Sequence, residues 1–440
     1  MGKAFSIQTM GCQMNEYDSD YLAQSLIQCG FSPSEDLERA DLILINTCTV
    51  RAKPQQKAYS LLGRLSAMKS RNPALVIGVV GCLAQQEGAD LMRRFPQLDL
   101  VVGPRELGRM QEIIRGIDDD CGKLVATNLD TIQRDPIMDC QGYAKGRISG
   151  YISIMEGCNN FCSYCVVPYV RGREVSRSPQ GVLAEAKRLI SDGVKEITLL
   201  GQNVNSYCFE ERQKKWDFPR LLEELSALKD LLRLRFTTSH PKDLSHDLIH
   251  CFRDLPSLCP HIHLPFQAGS NTVLKRMRRG YTRESYMGLI SKLRKMQPDM
   301  AITSDVMVGF PGETEKDFEW TLDLIKRVQF DSLFSFKYSD RKNTAAEKMD
   351  RKLDEPEKAR RLQILQALQR QITLKKNRAL EGHQVEVLVE GESKRGGQLT
   401  GRTGTNKVVN FLCNRSSIGN IVNVVIRQGL VNSLGGELSR

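Results

Sequence analysis

The 440-residue chain has no apolar run near the roughly 20 residues that span a bilayer. A helical membrane protein is excluded on that ground. No apolar signal-peptide region precedes the first strand-like pattern, which begins within Met1–Gln8. The expected location is therefore the cytoplasm. An even set of cysteines is also missing: there are 13, which does not suit a secreted disulfide framework and fits reduced thiols serving metal centres. Where the thiols are densest, two further features are lacking. No second Cys or His pair follows, as a zinc site would need. No fourth Cys stands close by, as in a ferredoxin-like run.

What is present starts with charge. The net +11 points to a polyanionic partner, with RNA or DNA leading. The dense stretch is Cys158-Asn159-Asn160-Phe161-Cys162-Ser163-Tyr164-Cys165. It follows a strand-like run, Tyr151–Met155, and Gly157 permits a tight turn before it. Thiolates at this spacing suit an iron–sulfur centre, usually held by four cysteines. With three, a cubane would keep one iron open to a small molecule.

Residues 3–117 alternate strand and helix. Strands are expected at Phe5–Met10, Asp41–Asn46, Leu75–Val80 and Leu98–Val102. Helices are expected at Asn15–Cys29, about Pro54–Ser70, Leu83–Phe95 and Arg105–Arg115. Apolar strands between helices imply a parallel sheet covered on both faces. Cys12, Cys48 and Cys82 each follow a strand, at the carboxyl edge where such sheets bind ligands. Either they form a second three-thiolate site or each is an ordinary small buried residue.

The pattern Cys-x-x-x-Cys-x-aromatic-Cys, with Tyr164 at the aromatic place, resembles the signature of the radical S-adenosylmethionine (SAM) superfamily. The segments around Cys12, Cys48 and Cys82 resemble the N-terminal domain of the methylthiotransferases. Gln13-Met14-Asn15 is most similar to the tRNA branch of that family. The resemblance implies two 4Fe-4S clusters, one on Cys158, Cys162 and Cys165 that cleaves SAM, the other on Cys12, Cys48 and Cys82 that carries sulfur. It further implies SAM contacts at Tyr164, at Gly201-Gln202-Asn203, where many relatives have Gly-Gly-Glu, and at Asp305. The implied reaction methylthiolates carbon 2 of N6-isopentenyladenosine beside the tRNA anticodon, with a flavodoxin- or ferredoxin-like electron donor and a monomeric enzyme. A ribosomal-protein aspartate or threonylcarbamoyladenosine in tRNA stays open as the alternative target.

The fold expected is α/β. A flavodoxin-like N-terminal domain spans 1–118 and a linker 119–146. A partial (βα)6 barrel spans 147–376, with strands at Tyr151–Met155, Glu196–Leu200, Leu232–Thr237, His261–Leu264, Ala301–Val308 and Asp331–Phe336. From 377 to 440, short strands at Val385–Val389, Gln398–Thr403, Val408–Leu412 and Ile421–Ile426 suit a small β-barrel. That barrel resembles a TRAM RNA-binding domain, with Arg402, Thr403, Asn406, Lys407 and Phe411 as expected phosphate and base contacts. His240, His261 and His263 are expected as hydrogen-bonded residues at the barrel mouth. Cys29, Cys208, Cys251 and Cys259 are expected to be structural, and Cys121 and Cys140 incidental.

Overall fold

A computed structural model describes residues 2–49, 52–118, 122–130, 142–211, 214–394 and 396–439. The first unit is a parallel sheet of β1 (Ala4–Met10), β2 (Ser32–Pro33), β3 (Leu42–Thr47), β4 (Val76–Val80), β5 (Leu100–Val102) and β6 (Leu124–Ala126), in the order β2-β1-β3-β4-β5-β6. Every residue of β3 is buried, as a central strand with helices on both faces requires. Helix α1 (Gln13–Gln28) follows β1, α2 (Ala52–Arg71) follows β3, and α3 (Cys82–Glu87) follows β4.

Three expectations change here. The single helix Leu83–Phe95 is broken at Gly88, whose φ of 50° leaves the helical region, into α3 and a second short helix, Ala89–Arg94. The helix expected from Arg105 opens as a 3-10 turn, Pro104–Arg109, and becomes α-helical only over Met110–Asp118. The segment taken as linker contributes β6, which pairs in parallel with β5 and forms the sheet's edge. Cys121 and Cys140 lie outside the described residues.

The second unit holds the six expected strands: β7 (Ser149–Ser153), β8 (Glu196–Leu200), β9 (Arg233–Phe236), β10 (His261–His263), β11 (Ala301–Val308) and β12 (Ser332–Lys337). They form two parallel three-stranded sheets, β9-β8-β7 and β10-β11-β12, around one apolar core that includes Ile152, Leu199, Leu234, Ile262 and Val306. The two sheets meet at β9, where Leu234 bridges to Leu258 just before β10. All six strand carboxyl ends therefore face one mouth.

The third unit is a closed barrel of β13 (Gln384–Glu392), β14 (Leu399–Thr403), β15 (Val408–Leu412), β16 (Ile421–Gly429) and β17 (Leu434–Leu438), ordered β13-β14-β15-β17-β16. Strand β17 is absent from the sequence expectation because Leu434-Gly435-Gly436-Glu437-Leu438 lacks β-branched residues. The glycine is what lets it close the barrel: a Cβ on Gly436 would stand 2.4 Å from Val424 Cγ1.

Buried arginines fasten the units. Arg233 and Arg235, alternating with Leu234 and Phe236 on β9, donate to the carbonyls of Arg402, Thr403 and Gly404 in the C-terminal barrel. Arg177 donates to Tyr17 Oη at 3.0 Å and pairs with Glu185, tying α1 to the second unit.

Candidate metal centres and substrate cavity

The Cys158 loop is shaped by backbone first. Gly157 adopts φ +78°, and a Cβ there would lie 2.1 Å from the Arg173 carbonyl oxygen, so only glycine fits. Its N–H donates to Gln202 Oε1 at 2.6 Å, and Cys158 N–H donates to Gly172 O at 3.2 Å. Phe161 takes φ +44°, a strained value for a residue with a side chain. Asn160 Nδ2 reaches Cys158 Sγ at 3.6 Å. The buried Arg279 donates from Nη1 to Cys162 Sγ at 3.3 Å and to Tyr164 Oη at 3.4 Å, and from Nη2 to Pro265 O at 3.1 Å. Burial pushes the Cys165 thiol up to about 12 and raises Cys158 as well; each feels its neighbouring thiols.

The N-terminal site is assembled from three loops. Cys12 caps α1, and Asn15 Oδ1 accepts from its N–H at 3.1 Å and its Sγ at 3.4 Å. Asn15 and Asn46 are fully buried and bonded to each other, Asn15 Nδ2 to Asn46 Oδ1 and Asn46 Nδ2 to Asn15 O, both at 2.9 Å. Gly81, at φ +89°, has no room for a Cβ beside Asn46 Oδ1, so the Cys82 loop closes on the same pair. The Cys12 thiol is lowered to about 6, first by a hydrogen bond with Cys48 and also by the charge of Arg171. Cys82 is raised by burial, and Arg171 Nε donates to its Sγ at 3.3 Å. Cys82 packs against Val166 and Val170, on the segment leaving Cys165. The two cysteine sites thus flank Val166–Arg171.

The donor chemistry fits a cubane at each site: three thiols, with Cys12 exposed in one and Cys158 and Cys165 half-buried in the other, and a buried guanidinium aimed at a sulfur. Among the described residues no three Cys, His, Asp or Glu side chains are grouped to hold one ion. A cubane takes its thiolates at separate corners and does not need that grouping.

A cavity of about 610 Å³ opens between all three units. Its walls include Cys12, His263, Asp305, Phe334, Asn406 and Lys407. The cavity reaches Cys12 and none of the second unit's three loop cysteines. Asp305 lies 3.5 Å from His263 Nε2, and the Thr303 hydroxyl contacts both His261 and His263. Burial lowers His261 to about 3 and His240 to about 2, so both are neutral at physiological pH. His240 Nδ1 accepts from Lys242 N–H.

The remaining expected residues fall into two groups. Gly201 packs against Met155, Gln202 holds the Gly157 turn, and Asn203 donates to Asp243 at 2.8 Å. In the C-terminal barrel, two expected contacts are buried and a third is engaged. Phe411 is wholly inside the barrel core and offers no face for base stacking. Thr403 is buried, bonded to Thr405 and Lys407 N–H. Lys407 Nζ is held between Asp331 Oδ1 at 3.1 Å and Asn377 Oδ1 at 2.9 Å, in the seam with the second unit. Arg402 and Asn406 stay half-exposed; Arg402 pairs with Glu390. Sequence reasoning missed Arg171, Asp18, Arg279 and the Asn15–Asn46 pair. Asn15 and Asn46 flank cysteines and could have been suspected; the arginines carry no spacing signal.

Residues 4–103 match the model of uncharacterized protein family UPF0004, residues 152–325 the radical SAM superfamily, and residues 378–439 the TRAM domain. Among solved structures, the radical SAM methyltransferase TsrM from Kitasatospora setae shares the fold, with a TM-score of 0.57 at 15% identity over 79% of this chain and 77% of that one. Fold and cysteine loop together define a radical SAM enzyme with an appended TRAM barrel. A tRNA-2-methylthio-N(6)-dimethylallyladenosine synthase of Syntrophus aciditrophicus is 50% identical over 99% of this chain and 94% of its own length. Proteins of the same name from Geotalea uraniireducens (46%, covering 100% and 99%) and Clostridium botulinum (46%, covering 98% and 96%) match equally fully. The chain belongs to the tRNA-2-methylthio-N(6)-dimethylallyladenosine synthase family. No helix among its described residues is long and apolar enough to cross a membrane.

Proposed function

We propose that this chain methylthiolates carbon 2 of N6-isopentenyladenosine, on the adenosine 3′ of the tRNA anticodon. The observation that carries the reading is the pairing of two three-cysteine sites across Val166–Arg171, with Cys12 open to a cavity that the C-terminal barrel helps to close. The aromatic C–H at carbon 2 has no acidic proton, so acid–base catalysis offers little and radical chemistry is the available route. When bound, two 4Fe-4S clusters supply that chemistry: the one on Cys158, Cys162 and Cys165 the electron that cleaves SAM, the one on Cys12, Cys48 and Cys82 the sulfur.

The chain's own residues position and enclose. Gln202 fixes the turn that presents Cys158. Arg279 orients Cys162 and Tyr164 together, and we assign Tyr164, the Gly201–Asn203 turn and Asp305 to SAM. The cavity offers space for a base splayed out of its loop. The N-terminal unit (1–118 with β6), the barrel unit (147–376) and the C-terminal barrel (377–440) each contribute a wall to the reading. Arg402 and Asn406 face the tRNA backbone. A flavodoxin- or ferredoxin-like carrier delivers electrons to a monomer in the cytoplasm.

Mass spectrometry of tRNA nucleosides from cells lacking the protein tests this. Loss of the methylthio group with accumulation of N6-isopentenyladenosine is expected. An unchanged nucleoside profile overturns it, and loss of a methylthio group from a ribosomal-protein aspartate would move the activity to the other target.

A further inference from the structure

Arg171 is contributed by the second unit, six residues after Cys165, yet its side chain works in the N-terminal site. It is 3% exposed. Its Nε–H donates to Cys82 Sγ at 3.3 Å, and its Nη2 pairs at 2.6 Å with Asp18 Oδ2 on α1, whose side chain is wholly buried. Its carbonyl accepts from Arg105 Nε at 3.0 Å, which locks the backbone that carries it. Nη1 is buried with no hydrogen-bond partner. Glu156 and the Cys12 thiol also lie within its electrostatic reach.

A buried ion pair is a poor source of stability, because desolvation offsets the attraction and apolar residues would fill the space at least as well. Here the pair leaves an unpartnered Nη1 on a guanidinium that already reaches Cys82 and feels Cys12. Hydrogen bonds and charge at a cluster's sulfurs raise its reduction potential and orient its ligands.

Resting on the two-cluster reading above, we propose that Arg171 is a positioning residue of the N-terminal site. Held from the barrel side and balanced by Asp18, it orients Cys82 and sets the reduction potential of the cluster on Cys12, Cys48 and Cys82, independently of the cluster on the Cys158 loop.

The test is potentiometric titration of the reconstituted full-length enzyme followed by electron paramagnetic resonance, with and without SAM, whose addition marks the barrel cluster's signal. Wild type is read first: a single cluster there overturns the parent reading and this one with it, whereas two clusters with unmoved midpoints in the variants overturn this one alone. In Arg171→Gln/Asp18→Asn, which removes both charges together, the N-terminal cluster's midpoint should move negative while the barrel cluster's stays put. Arg171→Lys keeps the charge but withdraws the N–H from Cys82, and should give a smaller negative shift. Should the double variant lose only the N-terminal iron, the Lys variant decides, a shifted midpoint supporting the proposal and an unshifted one overturning it. N-terminal midpoints equal to wild type in both variants, or equal shifts at both clusters, overturn it.

Discussion

The two cysteine sites solve the same problem in opposite ways. The barrel site takes its three thiols from eight consecutive residues, and its loop is shaped by Gly157 and held by Gln202 from the next strand's end. The N-terminal site gathers Cys12, Cys48 and Cys82 across 70 residues, and it exists only once three parallel strands are in register. Each site has one buried arginine aimed at one sulfur. Arg279 comes from within the barrel unit and meets phenols and a carbonyl; Arg171 crosses from the barrel unit into the other site and meets Asp18. The ligands of the first site are therefore brought together by one loop and those of the second by the register of one sheet, and only the second takes its arginine from the neighbouring unit.

Substituting single ligands should break this comparison most severely. Cys162→Ala should abolish 5′-deoxyadenosine production while leaving iron at the N-terminal site. Cys48→Ala should do the reverse, ending methylthio transfer while SAM is still cleaved. Iron content and deoxyadenosine measured on both variants check this, and loss of both clusters in either one would show the sites are not separate.

Docking is the next largest effect. Arg235 forms a 3.0 Å ion pair with Glu196, both 5% exposed, beneath the C-terminal barrel. Arg235→Ala leaves Glu196 buried without that partner and should cost about 3–5 kcal/mol, read as a lowered unfolding midpoint in denaturant. A surface-like loss below 1 kcal/mol would mean the seam hydrates freely.

A third test uses thiol acidity in metal-free protein. Cys12, lowered to about 6, is mainly thiolate at neutral pH, whereas Cys165, raised to about 12, is protonated. Alkylation followed by peptide mass spectrometry should give Cys12 a rate that levels off above pH 6 and Cys165 one still rising at pH 9. The depressed Cys12 value contributes stability that is full above the ordinary thiol value of 9.0 and is lost as pH falls through about 6; the raised Cys165 value contributes stability that is full below 9.0 and is lost as pH rises through about 12.

Smallest is the surface contact. Arg402→Ala should weaken tRNA binding evenly across sequences and reduce the salt slope of log affinity by about 1. An unchanged slope at several salt concentrations would place the phosphate contact elsewhere.

Four of the six strands of the N-terminal sheet, the six strands of the split barrel, the eight-residue cysteine loop and four of the five C-terminal strands were legible because alternation of apolar strands, helices and glycine turns is a local property. The six cysteines were singled out as ligands, three by spacing and three by their place after strands, and the structure groups them three and three. Strand β17 was not, since its glycines answer to Val424 across the barrel. Phe411 and Lys407 read as RNA contacts by composition, yet one fills the barrel core and the other is claimed by Asp331.

Sequence alone determined which atoms could bind iron and which elements would carry them, because ligand type and backbone period are written in neighbouring residues. Only the tertiary structure decided that Cys82 lies against the segment leaving Cys165, that Arg171 and Asp18 meet beside it, and that a cavity joins all three units at Cys12. Those are contacts between residues far apart in the chain, and packing of the units onto one another is what creates them.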